Sequence, residues 1–94
     1  MLTRIVKMHF NQMYTTDFKR FFASLKSQIE TFDGCKEVNL FQDKANPEIF
    51  FTISKWENED SLENYRHSAL FKETWAVVKP NFVQKAEVWS LSLL

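Results

Sequence analysis

One glycine and two prolines are all that interrupt this chain, so Gly34, Pro47 and Pro80 punctuate its elements. Between them the apolar residues change period in a way that names each element. Residues 2–11 alternate, with Leu2, Arg4, Val6, Met8 and Phe10 on one side and Thr3, Ile5, Lys7, His9 and Asn11 on the other. That is a strand with one face more apolar than the other. Thr15, Thr16 and Asp17 offer helix N-cap and first-turn chemistry. Phe18, Phe21, Phe22, Leu25, Ile29 and Phe32 follow at helical spacing, and Asp33-Gly34 is expected to close that helix with glycine at positive φ. Cys35–Gln42 reads as a second strand, the segment around Asn46-Pro47 as a turn, and Ile49–Trp56 as a third strand. Phe50, Phe51 and Ile53 are nearly continuous in it, as in a central strand covered on both faces. Asn58 can cap a short helix running to about Tyr65, and Ser68 a second one carrying Phe71, Trp75 and Val78, which Pro80 stops. Ala86–Leu93 alternates again and closes the chain as a fourth strand.

The order β-α-β-β-α-β, with right-handed crossovers, predicts an α+β, ferredoxin-like domain over residues 1–94: a four-stranded antiparallel sheet with the helices on one face. Helices on one side leave the other side of the sheet to water or to a partner. Ten phenylalanines among 94 residues exceed what so small a core needs. The expectation is a homodimer through the uncovered sheet face.

Composition excludes several functions. Twelve basic and twelve acidic residues leave no net positive field to hold a phosphate backbone, so no nucleic acid is expected as a partner. Cys35 is the only cysteine, so neither an intrachain disulfide nor a cysteine-built metal site is available. A lone thiol suits a reducing compartment. No apolar run approaches the length of about 18 residues that a membrane span needs, and Arg4, Lys7 and His9 interrupt the first ten residues. A cytoplasmic protein without a membrane partner is expected.

The stretch from Trp56 to Trp75 carries the functional signal. A strand ends on a large ring, a polar turn follows, and Leu62, Tyr65, Ala69, Phe71 and Trp75 then turn inward at helical spacing. Rings arranged in this way fill a core or wall a pocket for a planar molecule.

The element order, Trp56 at the end of the third strand, the run Leu62, Tyr65, Arg66, Ser68, Phe71, Trp75, and the closing Ala-x-x-Trp-Ser strand together resemble the antibiotic biosynthesis monooxygenase domain family. The resemblance spans nearly the whole chain. It implies a dimeric α/β barrel, two sheets face to face, with a pocket in each subunit between helices and sheet. The family includes cofactor-independent oxygenases of polyketide quinols, quinol oxygenases and heme-degrading enzymes. The heme branch uses a helical Trp with a His ten residues beyond it. Those positions fall on Tyr65 and Trp75 here, so the axial ligand is missing and neither heme nor any other cofactor or metal is expected.

The resemblance therefore implies a small cofactor-independent monooxygenase acting on an aromatic, quinol-type molecule. Trp56, Tyr65, Phe71 and Trp75 are the candidate substrate-binding walls, and His9 or Tyr65 the candidate proton-handling group. Each has a plainer reading. The rings can be core, and His9 shares a face with Ile5 and Lys7, which suits a surface or interface position. Arg66 can hold an anion but is expected to pair with an acidic neighbour on its own helix, Glu59, Asp60 or Glu63. Glu57, Glu59, Asp60 and Glu63 gather at a helix N-terminus, where carboxylates offset the dipole rather than bind metal. The alternative function is a ligand-binding or housekeeping module of the same fold without catalysis.

Overall fold

A computed structural model describes residues 1–94. Strand β1 (Leu2–His9) leads through a 3-10 turn (Gln12–Tyr14) into helix α1 (Thr15–Glu30). Strands β2 (Cys35–Gln42) and β3 (Ile49–Trp56) follow, then helices α2 (Glu59–Arg66) and α3 (Ala69–Val78), a second 3-10 turn (Lys79–Asn81) and strand β4 (Glu87–Ser92). The strands form one antiparallel sheet in the order β2-β3-β1-β4. This is the ferredoxin-like α+β fold expected from the sequence, with β3, the strand richest in apolar residues, at its centre beside β1.

Alternation along each strand sorts side chains between the two faces. Leu2, Met8 and Phe10 from β1 and its extension, Val38 from β2, and Phe50 and Trp56 from β3 are buried under the helices. Phe18, Phe22 and Ile29 of α1 and Val78 of α3 meet the sheet part of this set in the larger core cluster. Leu2, Trp56 and Leu62 form a second, smaller cluster at the opposite end. Phe10 is the centre of the larger one: its ring has no exposed surface and lies 4.4 Å from Phe18 and 5.2 Å from both Tyr14 and Phe82.

Three local expectations change. Helix α1 is not capped by Thr15, Thr16 or Asp17; its N-cap is Tyr14, with no side-chain cap, because the preceding 3-10 turn is already helical. Thr15 instead donates its hydroxyl to the Gln12 carbonyl at 3.1 Å. The helix ends at Glu30, so Phe32 lies in the following turn and Gly34 beyond it, at φ 85°. Ala69, expected inward, is exposed as the first residue of α3. The two caps drawn from α2 and α3 are present: the Asn58 side chain accepts from Ser61 N–H at 2.9 Å, and the Ser68 hydroxyl from Phe71 N–H at 3.1 Å. Each contributes about 1 kcal/mol to a short helix.

The face of the sheet away from the helices carries Ile5, Phe41, Phe51, Ile53, Trp89 and Leu91. Ile5 sits opposite both Ile53 and Trp89, and Phe41 opposite Phe51. Phe41, Trp89 and Leu91 are each more than two-fifths exposed. Ion pairs bracket this apolar band, Lys7 with Glu87 at 3.5 Å toward one end and Lys55 with Glu37 at 3.3 Å toward the other. No helix is long and apolar enough to cross a membrane.

Candidate functional site

A cavity of ≈ 420 Å³ lies between the helices and the sheet, bridging the two core clusters. Hydrophobic residues supply 15 of the 21 that line it. The volume falls within the range of small-molecule sites, roughly 300–1,000 Å³. Its sheet floor carries Arg4, Val6 and Met8 of β1 with Thr52, Ser54 and Trp56 of β3. Its roof comes from α1, α2 and α3.

The structure brings four of the sequence candidates together here. Tyr65 stacks on Trp56 at 4.9 Å between centroids, meets Phe71 edge-on at 5.3 Å, and Phe71 lies 5.7 Å from Trp75. The helix break at His67–Ser68 makes this possible. Tyr65 ends one helix and Trp75 rides the next, and the change of direction brings both rings onto the same cavity. Trp56 does not lean over the mouth, as a strand-end ring can. It is 1% exposed and donates its indole N–H to the Ser54 hydroxyl at 2.9 Å, so it belongs to the inner wall.

His9 does not join them. Strand alternation puts it on the opposite face of the sheet from the cavity, where its Nε2 lies 3.0 Å from Glu48 Oε1. His67 is largely exposed beside Glu63 in the turn between α2 and α3. Arg66 pairs with Glu63 at 2.6 Å, as expected, yet it also borders the cavity. No histidine, aspartate or glutamate lines the cavity, and no group of three or more His, Cys, Asp or Glu is placed to hold a metal.

Burial governs the one phenol in the site. Desolvation, aided by the neighbouring Cys35 thiol, pushes the Tyr65 hydroxyl up to about 12. At neutral pH it is therefore a hydrogen-bond donor and not a base. A phenol whose folded pKa is raised stabilises the fold fully below its unfolded value near 10, and that contribution is lost as pH climbs from 10 toward 12. Denaturant titrations across that window should show stability falling for the native chain and a flatter profile for Tyr65→Phe. Equal slopes would show that Tyr65 is not the group responsible.

Arg4 is the lining residue that sequence reading passed over. It occupies an inward position of β1, among Leu2, Val6 and Met8. The signal was visible: it is the one charge on the apolar side of that strand.

The fold and the site thus define a class: a ferredoxin-like domain holding an aromatic-walled, apolar cavity between its helices and its sheet. The chain belongs to the antibiotic biosynthesis monooxygenase family, whose sequence profile matches residues 1–77. Solved structures share the whole architecture. One described as an antibiotic biosynthesis monooxygenase superposes with a TM-score of 0.92 at 17% identity, covering 100% of this chain and 99% of its own. A conserved protein from Methanosarcina mazei gives 0.88 at 24% identity, covering 96% and 90%. A protein from Mycobacterium tuberculosis gives 0.89 at 14%, covering 99% and 94%. At these identities the likeness is one of fold. No curated protein matches the sequence.

Proposed function

We propose that this protein is a cofactor-independent monooxygenase that oxidises an aromatic, quinol-type molecule bound in the cavity. The observation that carries the reading is the slot itself: Trp56, Tyr65, Phe71 and Trp75 wall a single apolar space large enough for a planar ring system. Family membership supports the reaction type.

The chemistry needs no external reductant. A hydroquinone, ionised by loss of its phenolic proton to water at the mouth, passes one electron to dioxygen. The resulting superoxide and ring radical combine to form a carbon–oxygen bond. The carbon that bears the peroxide then loses its hydrogen as a proton while the O–O bond breaks; the distal oxygen leaves as hydroxide and is protonated to water, and the proximal oxygen remains as a carbonyl. The sum is hydroquinone plus dioxygen to hydroxyquinone plus water. The protein's share is to exclude bulk water around the radical pair, to hold the ring, and to donate the Tyr65 hydroxyl to the ionised oxygen, which favours that form. His9 has no part in it, because the sheet stands between it and the cavity.

In this reading the molecule acts as a homodimer through the sheet face away from the helices, in a reducing, cytoplasmic setting that suits the free Cys35. Oxygen-electrode assays with a panel of hydroquinones should show one dioxygen consumed per substrate, and heavy-isotope oxygen should label product and water equally. Trp75→Phe should lower kcat/KM beyond what its stability loss, about 1–3 kcal/mol, explains. Tyr65→Phe should weaken substrate binding by about 0.5–1.5 kcal/mol. Saturable ligand binding without oxygen uptake would replace the enzyme with a binding module of the same fold.

A further inference from the structure

The cavity is not uniformly apolar: Arg4, Arg66 and Lys79 are among the residues that line it. Every residue of β4 is exposed, although Val88 and Ser90 pair with Val6 and Arg4 and share their helix-side face. No helix covers that edge, so the cavity opens beside β4, where Val88 lines it while remaining 46% exposed. Exposed Arg66 and Lys79 and half-buried Arg4 also line it. The remaining lining runs inward to buried Phe22, Ile29, Val38 and Leu62.

Arg4 is short of partners. The carboxylates of the chain contact Lys7, His9, Lys55, Arg66 and His67, and none contacts Arg4 within 4.0 Å. Of its five N–H donors, one reaches the Ser90 hydroxyl at 2.9 Å. Glu63 pairs with Arg66 and also acts on Arg4, so a single nearby carboxylate is set against the cations Arg4, Arg66 and Lys79 that line the cavity. We propose that the ligand is an aryl carboxylate, its ring system in the aromatic slot and its carboxylate at the β4 mouth between Arg4 and Arg66. A planar guanidinium offers a carboxylate two parallel hydrogen bonds, and an anion between two like charges relieves their repulsion. Burial and the nearby Arg66 both lower the Arg4 pKa, in keeping with a cation that lacks its counter-ion, while Glu63 opposes them. Lys79, which has no carboxylate partner, adds a third positive charge to the cavity lining. This inference rests on the reading that the slot holds an aromatic molecule. It does not rest on oxygen chemistry.

The test compares naphthoate with its neutral isostere naphthylmethanol, using quenching of tryptophan fluorescence and calorimetry. Naphthoate should bind about tenfold to a hundredfold more tightly, the value of a partly desolvated charge-assisted contact. Added salt should erode that preference but leave naphthylmethanol binding unchanged. Arg4→Gln should abolish the preference, Arg4→Lys should keep part of it, and Arg66→Gln should reduce it by less. Equal affinity for the two probes, no binding of naphthoate, or an unchanged ratio in folded Arg4→Gln would overturn the proposal. Should Arg4→Gln fail to fold, the native ratio and its salt dependence decide. Selective naphthoate binding without oxygen uptake from any hydroquinone would remove the oxygenase reading alone. Uptake with unselective binding would remove this one alone.

Discussion

Gly34→Ala should be the most damaging single-methyl change in the chain, lowering stability by about 2–4 kcal/mol. Two costs combine. The residue sits at φ 85° in the turn between α1 and β2, where a side chain costs about 1–2 kcal/mol. An added Cβ would also collide with the Cβ and Oγ of Ser61, near the start of α2. Neither side can retreat easily. The Gly34 carbonyl accepts the Glu57 N–H at 2.8 Å, and Ser61 N–H is held by the Asn58 cap at 2.9 Å. Relief by moving α2 would drag Leu62 and Tyr65 with it, and so the cavity wall. The thermal midpoint should fall by about 10–25 °C, measured at fixed protein concentration so that association does not enter. Adding Ser61→Gly should recover the steric share and leave the dihedral share. A loss below about 1 kcal/mol with no recovery in the double variant would show that the turn is looser than its geometry implies.

Ile53→Asp should convert the proposed homodimer into a well-folded monomer. Ile53 lies on β3 opposite Ile5 and Asn39, in the middle of the uncovered sheet face, so its side chain contributes little to the core beneath the helices. The band around it has the anatomy of an interface, an apolar centre with ion pairs at its margins. In a two-fold pair the change places an unpaired carboxylate from each subunit in the buried middle, and stranding a buried charge costs about 3–5 kcal/mol. Sedimentation of the native chain at micromolar concentration should give about twice the 11.2 kDa of one chain, and that of the variant one chain with an unchanged circular dichroism spectrum. A native chain that sediments at 11.2 kDa would reject the dimer and leave the exposed Phe41 and Trp89 without a partner.

The strands and helices were legible because they are written by short-range rules. Alternation marks β1 and β4, the spacing Phe18, Phe22, Leu25, Ile29 marks α1, and side-chain caps at Asn58 and Ser68 mark the starts of α2 and α3. Where a reading slipped, at the start of α1 and at its end, the competing structure was a tight turn that leaves little trace in apolar period. The walls of the site were legible for the same reason. Rings on one helix face and at a strand's end must meet somewhere, and Tyr65 and Trp56 do meet.

Only the folded chain decided the rest. Arg4 and Ser90 are 86 positions apart, and nothing local to either indicates that one will bond the other at an open sheet edge. Arg4 and Arg66 share a cavity because β1 is central, α2 packs Leu62 against Leu2 and Trp56, and β4 has no helix over it. That Trp56 is inner wall, with its indole N–H donated to the Ser54 hydroxyl, depends on the folded packing around it. The physical reason is one of range. Dihedral preference, capping and alternation act over a few residues and are encoded in sequence order. The position of a cation at a cavity mouth depends on which elements pack, and which edge they leave bare, and sheet pairing brings together residues that sequence order keeps apart.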